Sequence, residues 1–168
     1  LKALERPVIA AVNGVAAGAG ANLAIACDIV LAAKSAIFVQ AFIKIGLIPD
    51  VGGSYSLPRL VGHARAMGLA MLGEQIDGEK AAEWGLIWRA VDDDQLLDEA
   101  TTMAKQLAAQ PTVALGLIKR AINASATNDL DQQLELERDL QRQAGKTEDF
   151  AEGVSAFLDR RPATFKGR

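Results

Sequence analysis

The sequence has 168 residues, half of them apolar, so a chain of ordinary domain size can bury a substantial core. Its formal net charge of −3 differs from the concentrated positive charge typical of proteins that bind nucleic acid or an anionic membrane. No apolar run approaches the roughly 20 residues of a transmembrane helix, and the single cysteine excludes an intrachain disulfide. We therefore expect a cytoplasmic protein with no nucleic-acid or membrane partner.

The first part of the chain predicts a mixed α/β structure. Residues 8–12 form a short, continuous apolar run, which is typical of a strand buried on both faces. A glycine-rich turn at 14–20 and a helix at 21–26 should follow, because small, flexible residues give way to good helix formers. Two further strands are predicted at 28–33 and 36–39.

The remainder of the chain predicts mostly helix. Short helices are expected at 57–61, 64–72 and 79–84, with Gly73 ending the second and Asp77 capping the third. The aromatic and β-branched residues of 86–91 favour one more strand. Helical periodicity then predicts four longer helices, at 95–109, 112–124, 130–144 and 148–158.

The glycine-rich turn allows two interpretations. Its sequence matches neither the dinucleotide fingerprint nor the phosphate loop, because Leu23 stands where the former needs glycine and no Gly-Lys-Ser/Thr follows. Considered alone, the spacing favours a tight packing turn between strand and helix. The other interpretation is an oxyanion site, since the start of a helix presents backbone N–H groups without intrahelical acceptors.

Asp50 also has two interpretations. It lies between Pro49 and the pair Gly52-Gly53, a context in which aspartate commonly forms turns or caps helices. A carboxylate beside a reacting carbonyl compound would instead be suited to proton transfer. The local residues by themselves favour the turn.

Seven stretches in order along the chain resemble the crotonase, or enoyl-CoA hydratase/isomerase, superfamily. They are PVIAAVNG at 7–14, AGAGANLA at 17–24, ACDI at 26–29, IPDVGG at 48–53, LPRLVG at 57–62, AAEWGL at 81–86 and EGVSAFL at 152–158. The resemblance covers nearly the whole chain, and the ordered set is far more specific than any single glycine pair.

The resemblance implies an α/β fold, the C-terminal part of a ββα superhelix at 1–110. A helical C-terminal region with a trimerisation or lid role would occupy 111–168. It also implies a homotrimer or a dimer of trimers, with assembly beside another crotonase as a further option. Because the chain begins at Leu1 rather than methionine, we expect an upstream part to be missing.

In the superfamily, two backbone N–H groups hold the thioester carbonyl of an acyl-coenzyme A. Ala19 matches the position of one donor and is flanked by Gly18 and Gly20, which would lie against the substrate. The second donor would lie upstream of Leu1. Coenzyme A would enter as part of the substrate, so neither a separate cofactor nor a metal is expected.

The resemblance also identifies which carboxylates are absent. Asn22 and Phe42 stand where the hydratases of the superfamily carry glutamates, and neither residue transfers protons as a carboxyl group does. Both are expected to line the substrate site. Asp50 matches a position where isomerases of the superfamily carry their key aspartate, which predicts an acid–base role for it.

Four stretches resemble the ring-epoxide isomerases of phenylacetate degradation: GAGANL at 18–23, VQAF at 39–42, ARAMGL at 64–69 and GLIKRAIN at 116–123. The implied reaction converts the ring epoxide of 2-(1,2-epoxy-1,2-dihydrophenyl)acetyl-CoA to oxepin-CoA, shifts enoyl-CoA double bonds, or does both. Lys166, in the C-terminal tail, is a candidate for binding coenzyme A.

Three alternatives remain open. An aryl-CoA dehalogenase or hydrolase would use Asp50 as a nucleophile. A hydratase-like enzyme would need another way to position water. A non-catalytic partner subunit would explain the absent glutamates without any chemistry at Asp50.

Overall fold

Short strands and helices alternate through the first hundred residues of the computed structural model, which describes Leu1–Arg168. The chain divides into two compact units: the first comprises Leu1 and Val8–Thr101, the second Lys2–Pro7 and Thr102–Arg168. The sequence predicted a domain boundary at residue 110, whereas this division falls inside the helix that spans Leu96–Ala108. The trimerisation or lid role assigned to 111–168 stays a prediction.

The first unit contains six strands, four complete helices and two 3-10 segments. The strands are β1 (Ile9–Val12), β2 (Val15–Ala17), β3 (Ile29–Ala33), β4 (Ile37–Val39), β5 (Gln75–Asp77) and β6 (Arg89–Val91). The helices are α1 (Ala19–Ile25), α2 (Gly53–Val61), α3 (His63–Leu72) and α4 (Gly78–Glu83), with 3-10 segments at Ala41–Ile45 and Asp93–Gln95.

Successive strands enter two different sheets, and this alternation produces a superhelix. β1 and β3 are parallel neighbours, with Ile9 opposite Ile29, and β2 and β4 are parallel neighbours in the other sheet, with Val15 opposite Ile37. β6 adds parallel to β3, and β5 adds antiparallel to β4. Each turn therefore contributes one strand to each sheet before a helix returns the chain, which confirms the predicted ββα superhelix.

The centre of the core is β3, which lies between β1 and β6. Val30, Leu31, Ala32 and Ala33 are at most 5% exposed, so β3 is covered on both faces. Such burial explains why its sequence is continuously apolar rather than alternating. Burying one side chain of leucine size stabilises the fold by about 1.5–3 kcal/mol.

Two strands were missed from the sequence, and both have only three residues. β2 lies within the stretch predicted to be a glycine turn, and its Val15 is 73% exposed. β5 is mostly polar, with a single buried residue, Ile76. Pairing with β4 creates both strands, and such a nonlocal contact leaves little local sequence signal.

The second unit is helical, and its three complete helices agree closely with the predicted ones: α6 (Thr112–Ser125), α7 (Leu130–Ala144) and α8 (Glu148–Leu158). The preceding helix α5 (Leu96–Ala108) is shared between the two units. The start of α7 is fixed by local residues, because Asp129 and Gln132 form a reciprocal capping box there. The predicted start of the helix agrees with the observed one for this reason. No helix is long and apolar enough to cross a membrane.

Gly78 and Gly68 form a matched pair for testing backbone packing. A Cβ at Gly78 would lie 2.2 Å from the carbonyl oxygen of Ala33, whereas a Cβ at Gly68, inside α3, meets nothing within 4 Å. We expect Gly78→Ala to lower the free energy of unfolding by about 1–3 kcal/mol through overpacking. Gly68→Ala should raise it by about 0.5–1 kcal/mol, because alanine is the better helix former. Urea unfolding of both variants checks this; equal effects would contradict the Gly78 contact.

Candidate active site

The glycine turn between β2 and α1 brings the backbone close to an aromatic ring. Gly18 has φ +51°, a left-handed conformation that favours glycine. Its N–H donates to the Val39 carbonyl at 2.8 Å, and a Cβ on it would lie 3.4 Å from the ring of Phe42. The left-handed backbone of the turn therefore favours glycine at position 18, whereas a Cβ there would only reach ordinary van der Waals distance from Phe42.

Ala19 is the first residue of α1, so its N–H has no acceptor within the helix. Both Ala19 and Gly20 are exposed, whereas Gly18 is buried. α1 has only seven residues, and its dipole is correspondingly weak. The Ala19 N–H is one of the first-turn donors that an oxyanion here could use.

Asp50 lies on an exposed loop that leads into α2. The next two residues, Val51 and Gly52, have φ values of +49° and +77°. A β-branched residue in the left-handed region is strained, at a cost of about 1–3 kcal/mol, and it persists only where the surroundings fix the loop. One such constraint is local: the Gly53 N–H donates to the Asp50 carbonyl at 2.8 Å.

Asn22 links the glycine turn to the Asp50 loop. Its Nδ2 donates to the backbone carbonyl of Asp50 at 2.9 Å, and its Oδ1 accepts from Nε2 of Gln40 at 2.9 Å. Asn22 is 1% exposed and Gln40 is 4% exposed. A Cβ on Gly53 would lie only 2.2 Å from Nδ2 of Asn22, so a glycine is required where the loop crosses this amide.

These contacts bring six of the predicted site residues, all except Lys166, into one region, although not all in the predicted manner. Phe42 is 8% exposed, in the 3-10 segment Ala41–Ile45, and packs under the turn. Asn22 is directed at protein groups. Contact of either side chain with an acyl group stays a prediction, as do the roles assigned to Gly18, Ala19, Gly20 and Asp50.

Two contributors were missed from the sequence. Gln40 lies in a stretch that carries the resemblance, and a polar residue directly after a buried strand is a usable signal. Gly53 is half of a glycine pair, but its tight fit against Asn22 depends on a contact that the sequence does not encode locally. No group of three or more His, Cys, Asp or Glu side chains is placed to hold a metal ion.

Lys166 lies in the second unit, in a tail that folds back on α8. Its backbone N–H donates to Oδ1 of Asp149 at 2.7 Å, and the Gly167 N–H donates to Oδ2 of the same residue at 2.8 Å. Glu152 accepts from the Thr164 N–H at 2.8 Å and pairs with Arg161 at 2.7 Å. The Lys166 side chain is exposed, and its role in binding stays a prediction.

The sequence pattern of the family described as Enoyl-CoA hydratase/isomerase matches residues 1–168. The chain is 61% identical over 168 residues to the 1,2-epoxyphenylacetyl-CoA isomerase of Escherichia coli strain K12, covering 100% of this chain and 64% of the relative. It is 54% identical over 162 residues to a probable enoyl-CoA hydratase of Rhodobacter capsulatus, covering 96% of this chain and 63% of the relative.

A solved structure gives the same picture of the fold. The crystal structure of an enoyl-CoA hydratase from Polaromonas sp. JS666 superposes with a TM-score of 0.94 at 42% identity, covering 98% of this chain and 64% of that chain. The chain thus spans somewhat less than two thirds of the length of the proteins it matches.

The contacts of the tail predict a pH dependence. The side-chain hydrogen bond from Arg161, together with the Thr164 N–H, lowers the pKa of Glu152 from 4.5 to about 2. Because the folded pKa is depressed, the contribution of Glu152 to holding the tail is fully present above pH 4.5 and is lost as the pH falls through about 2. The NMR chemical shift of the Thr164 amide should therefore change with a midpoint near pH 2. Glu152→Gln should remove the transition, and a midpoint near the upper value would contradict the assignment.

Proposed function

The chain belongs to the enoyl-CoA hydratase/isomerase family, and from that premise we propose that the protein is an acyl-CoA isomerase with Asp50 as its acid–base residue. One observation carries the proposal. Asp50 presents its carboxylate from an exposed loop whose backbone accepts a hydrogen bond from Asn22, whereas neither Asn22 nor Phe42 can transfer protons as a carboxyl group does.

In this mechanism the Asp50 carboxylate removes a proton from a carbon near the thioester and returns it to another carbon. Negative charge develops on the thioester oxygen as the proton leaves, and the electrons return to carbon when it is replaced. The Ala19 N–H would donate to that oxygen and stabilise the enolate. A second donor, outside the residues of this chain, would complete the oxyanion hole.

We propose that the substrate is 2-(1,2-epoxy-1,2-dihydrophenyl)acetyl-CoA and that the enzyme isomerises its ring epoxide to oxepin-CoA. The same site could also shift the double bonds of enoyl-CoA thioesters. Support comes from the relative named 1,2-epoxyphenylacetyl-CoA isomerase, at 61% identity. The apolar Phe42 and the exposed Leu23, Ile48 and Val51, each at least 49% exposed, are also compatible with a flat apolar group.

Hydration is less well supported, although one relative is named a probable enoyl-CoA hydratase. A hydratase must position and deprotonate water, for which paired carboxyl groups are suited. Asn22 is committed to Asp50 and Gln40, and Phe42 makes its part of the region apolar. We further propose a cytoplasmic homotrimer or dimer of trimers that needs no cofactor beyond the coenzyme A of its substrate.

Replacing Asp50 tests the proposed function. In the protein at its full natural length, Asp50→Asn should lower kcat by about 10²–10⁴-fold, because the amide cannot accept the proton, while acyl-CoA binding is retained. In deuterated water, the unsubstituted protein should place deuterium in its product, whereas the Asp50→Asn variant should not. Asp94→Asn, a change of an exposed carboxylate in the segment Asp93–Gln95, is the matched control and should leave turnover unchanged.

Two results would contradict the proposal. Full turnover by Asp50→Asn would remove Asp50 from the mechanism. A covalent acyl–aspartyl adduct, trapped by rapid quench with a halogenated aryl-CoA, would indicate that Asp50 is a nucleophile rather than a proton shuttle.

A further inference from the structure

Asn22 and Gln40 form a buried pair of side-chain amides that ends at the backbone of Asp50. Gln40 donates to Asn22 at 2.9 Å, and Asn22 donates to the Asp50 carbonyl at 2.9 Å, across 28 residues of sequence. We define these two side chains as the amide relay. Burying two amides requires that their polar atoms find partners, because unpaired buried groups are costly.

The direction of the relay is fixed by the Asp50 carbonyl. A carbonyl oxygen only accepts hydrogen bonds, so Asn22 must present Nδ2 to it and Oδ1 to Gln40. Gln40 must then present Nε2, which leaves its own Oε1 buried without a hydrogen-bond partner.

The relay acts on a loop that backbone hydrogen bonds also constrain. The Asp50 carbonyl also accepts from the Gly53 N–H at 2.8 Å, while the intervening Val51 and Gly52 are both left-handed. The Asn22 amide leaves no space for a Cβ at position 53. The Asp50 carbonyl is therefore held by two donors, the Asn22 side chain and the Gly53 N–H.

We infer that Asn22 and Gln40 are positioning residues for the Asp50 carboxylate: they act through its backbone and do not contact the substrate. This inference rests on the proposed function of Asp50 as a proton shuttle. Asn22 stands where hydratases of the superfamily carry a glutamate, and in this proposal its role is to hold the loop that carries Asp50. A displacement of about 1 Å in such a group can lower the rate by about 10²-fold.

The variants Asn22→Ala and Gln40→Met separate the two links of the relay, and both should be made in the protein at its full natural length. Asn22→Ala removes the donor to Asp50 and should lower kcat by about 10–10²-fold, with KM changed by less than about threefold. Gln40→Met keeps most of the side-chain volume and leaves the Asn22–Asp50 contact possible, so a smaller loss of kcat, about threefold, is expected.

The double variant gives the sharpest test. If Gln40 acts only through Asn22, the double variant should have the kcat of Asn22→Ala alone; independent roles would instead multiply the two losses. The control is Asn128→Ala, in the second unit. It removes another amide–amide hydrogen bond, from Asn128 Nδ2 to Gln133 Oε1 at 3.0 Å, and should leave kcat unchanged.

A purely structural role would give a different pattern of results. It predicts losses of thermal stability with kcat preserved in the folded fraction, or multiplicative losses in the double variant, and either result overturns the inference. Should Asn22→Ala fail to fold, the volume-conserving Gln40→Met decides, since an unchanged kcat there contradicts the relay. Loss of turnover in Asp50→Asn with full turnover in Asn22→Ala would overturn the relay alone, whereas turnover in Asp50→Asn would overturn the proposed function.

Discussion

The hydrogen bond from the Asn22 amide to the Asp50 carbonyl is the contact on which the candidate site depends. It connects α1, which begins at the glycine turn, with the loop that enters α2. The Asp50 carbonyl also accepts the turn hydrogen bond from the Gly53 N–H. A hydrogen bond contributes about 1 kcal/mol of net stability, which is a small part of the total stability of a fold. This one acts where the loop has strained backbone, so it bears on the conformation of Asp50 more than on the fold as a whole.

The superhelix explains why the participants meet. β2 and β4 are parallel neighbours, so the residues that follow them leave the sheet at the same edge. Gly18 follows β2 and Gln40 follows β4, and the Gly18 N–H bonds to Val39 at that edge. The α/β architecture thus brings the turn, the relay and Phe42 together before any functional requirement is considered, in keeping with the general placement of sites at the carboxyl ends of parallel strands.

Much of the fold could be predicted from the sequence because its signals are local. The long helices predicted at 130–144 and 148–158 from their periodicity agree with the observed α7 and α8. In the structure, Asp129 and Thr147 cap their starts. Asp77 likewise caps α4, accepting from the Lys80 N–H at 2.7 Å. The strands β2 and β5 escaped prediction because pairing with β4, rather than their own residues, makes them extended.

The candidate site was predictable only in part, for the same reason. The resemblance indicated Gly18, Ala19, Asn22, Phe42 and Asp50, and the fold brings them together. The partner of Asn22 was not predictable, because the direction of an amide depends on which group faces it. Likewise, the left-handed Val51 contradicts the ordinary preference of a β-branched residue, and only the surrounding contacts explain it.

The identity of residue 22 makes two arrangements of the site mutually exclusive. An ionised carboxylate accepts hydrogen bonds and cannot donate one, so a carboxylate in place of the Asn22 amide could not donate to the Asp50 carbonyl. Such a carboxylate would still accept a hydrogen bond from Gln40, but the Asp50 carbonyl would lose the donor that Asn22 Nδ2 provides. An amide at this position holds the loop but cannot move a proton. The amide of Asn22 therefore supplies a contact to the Asp50 loop that a carboxylate could not make.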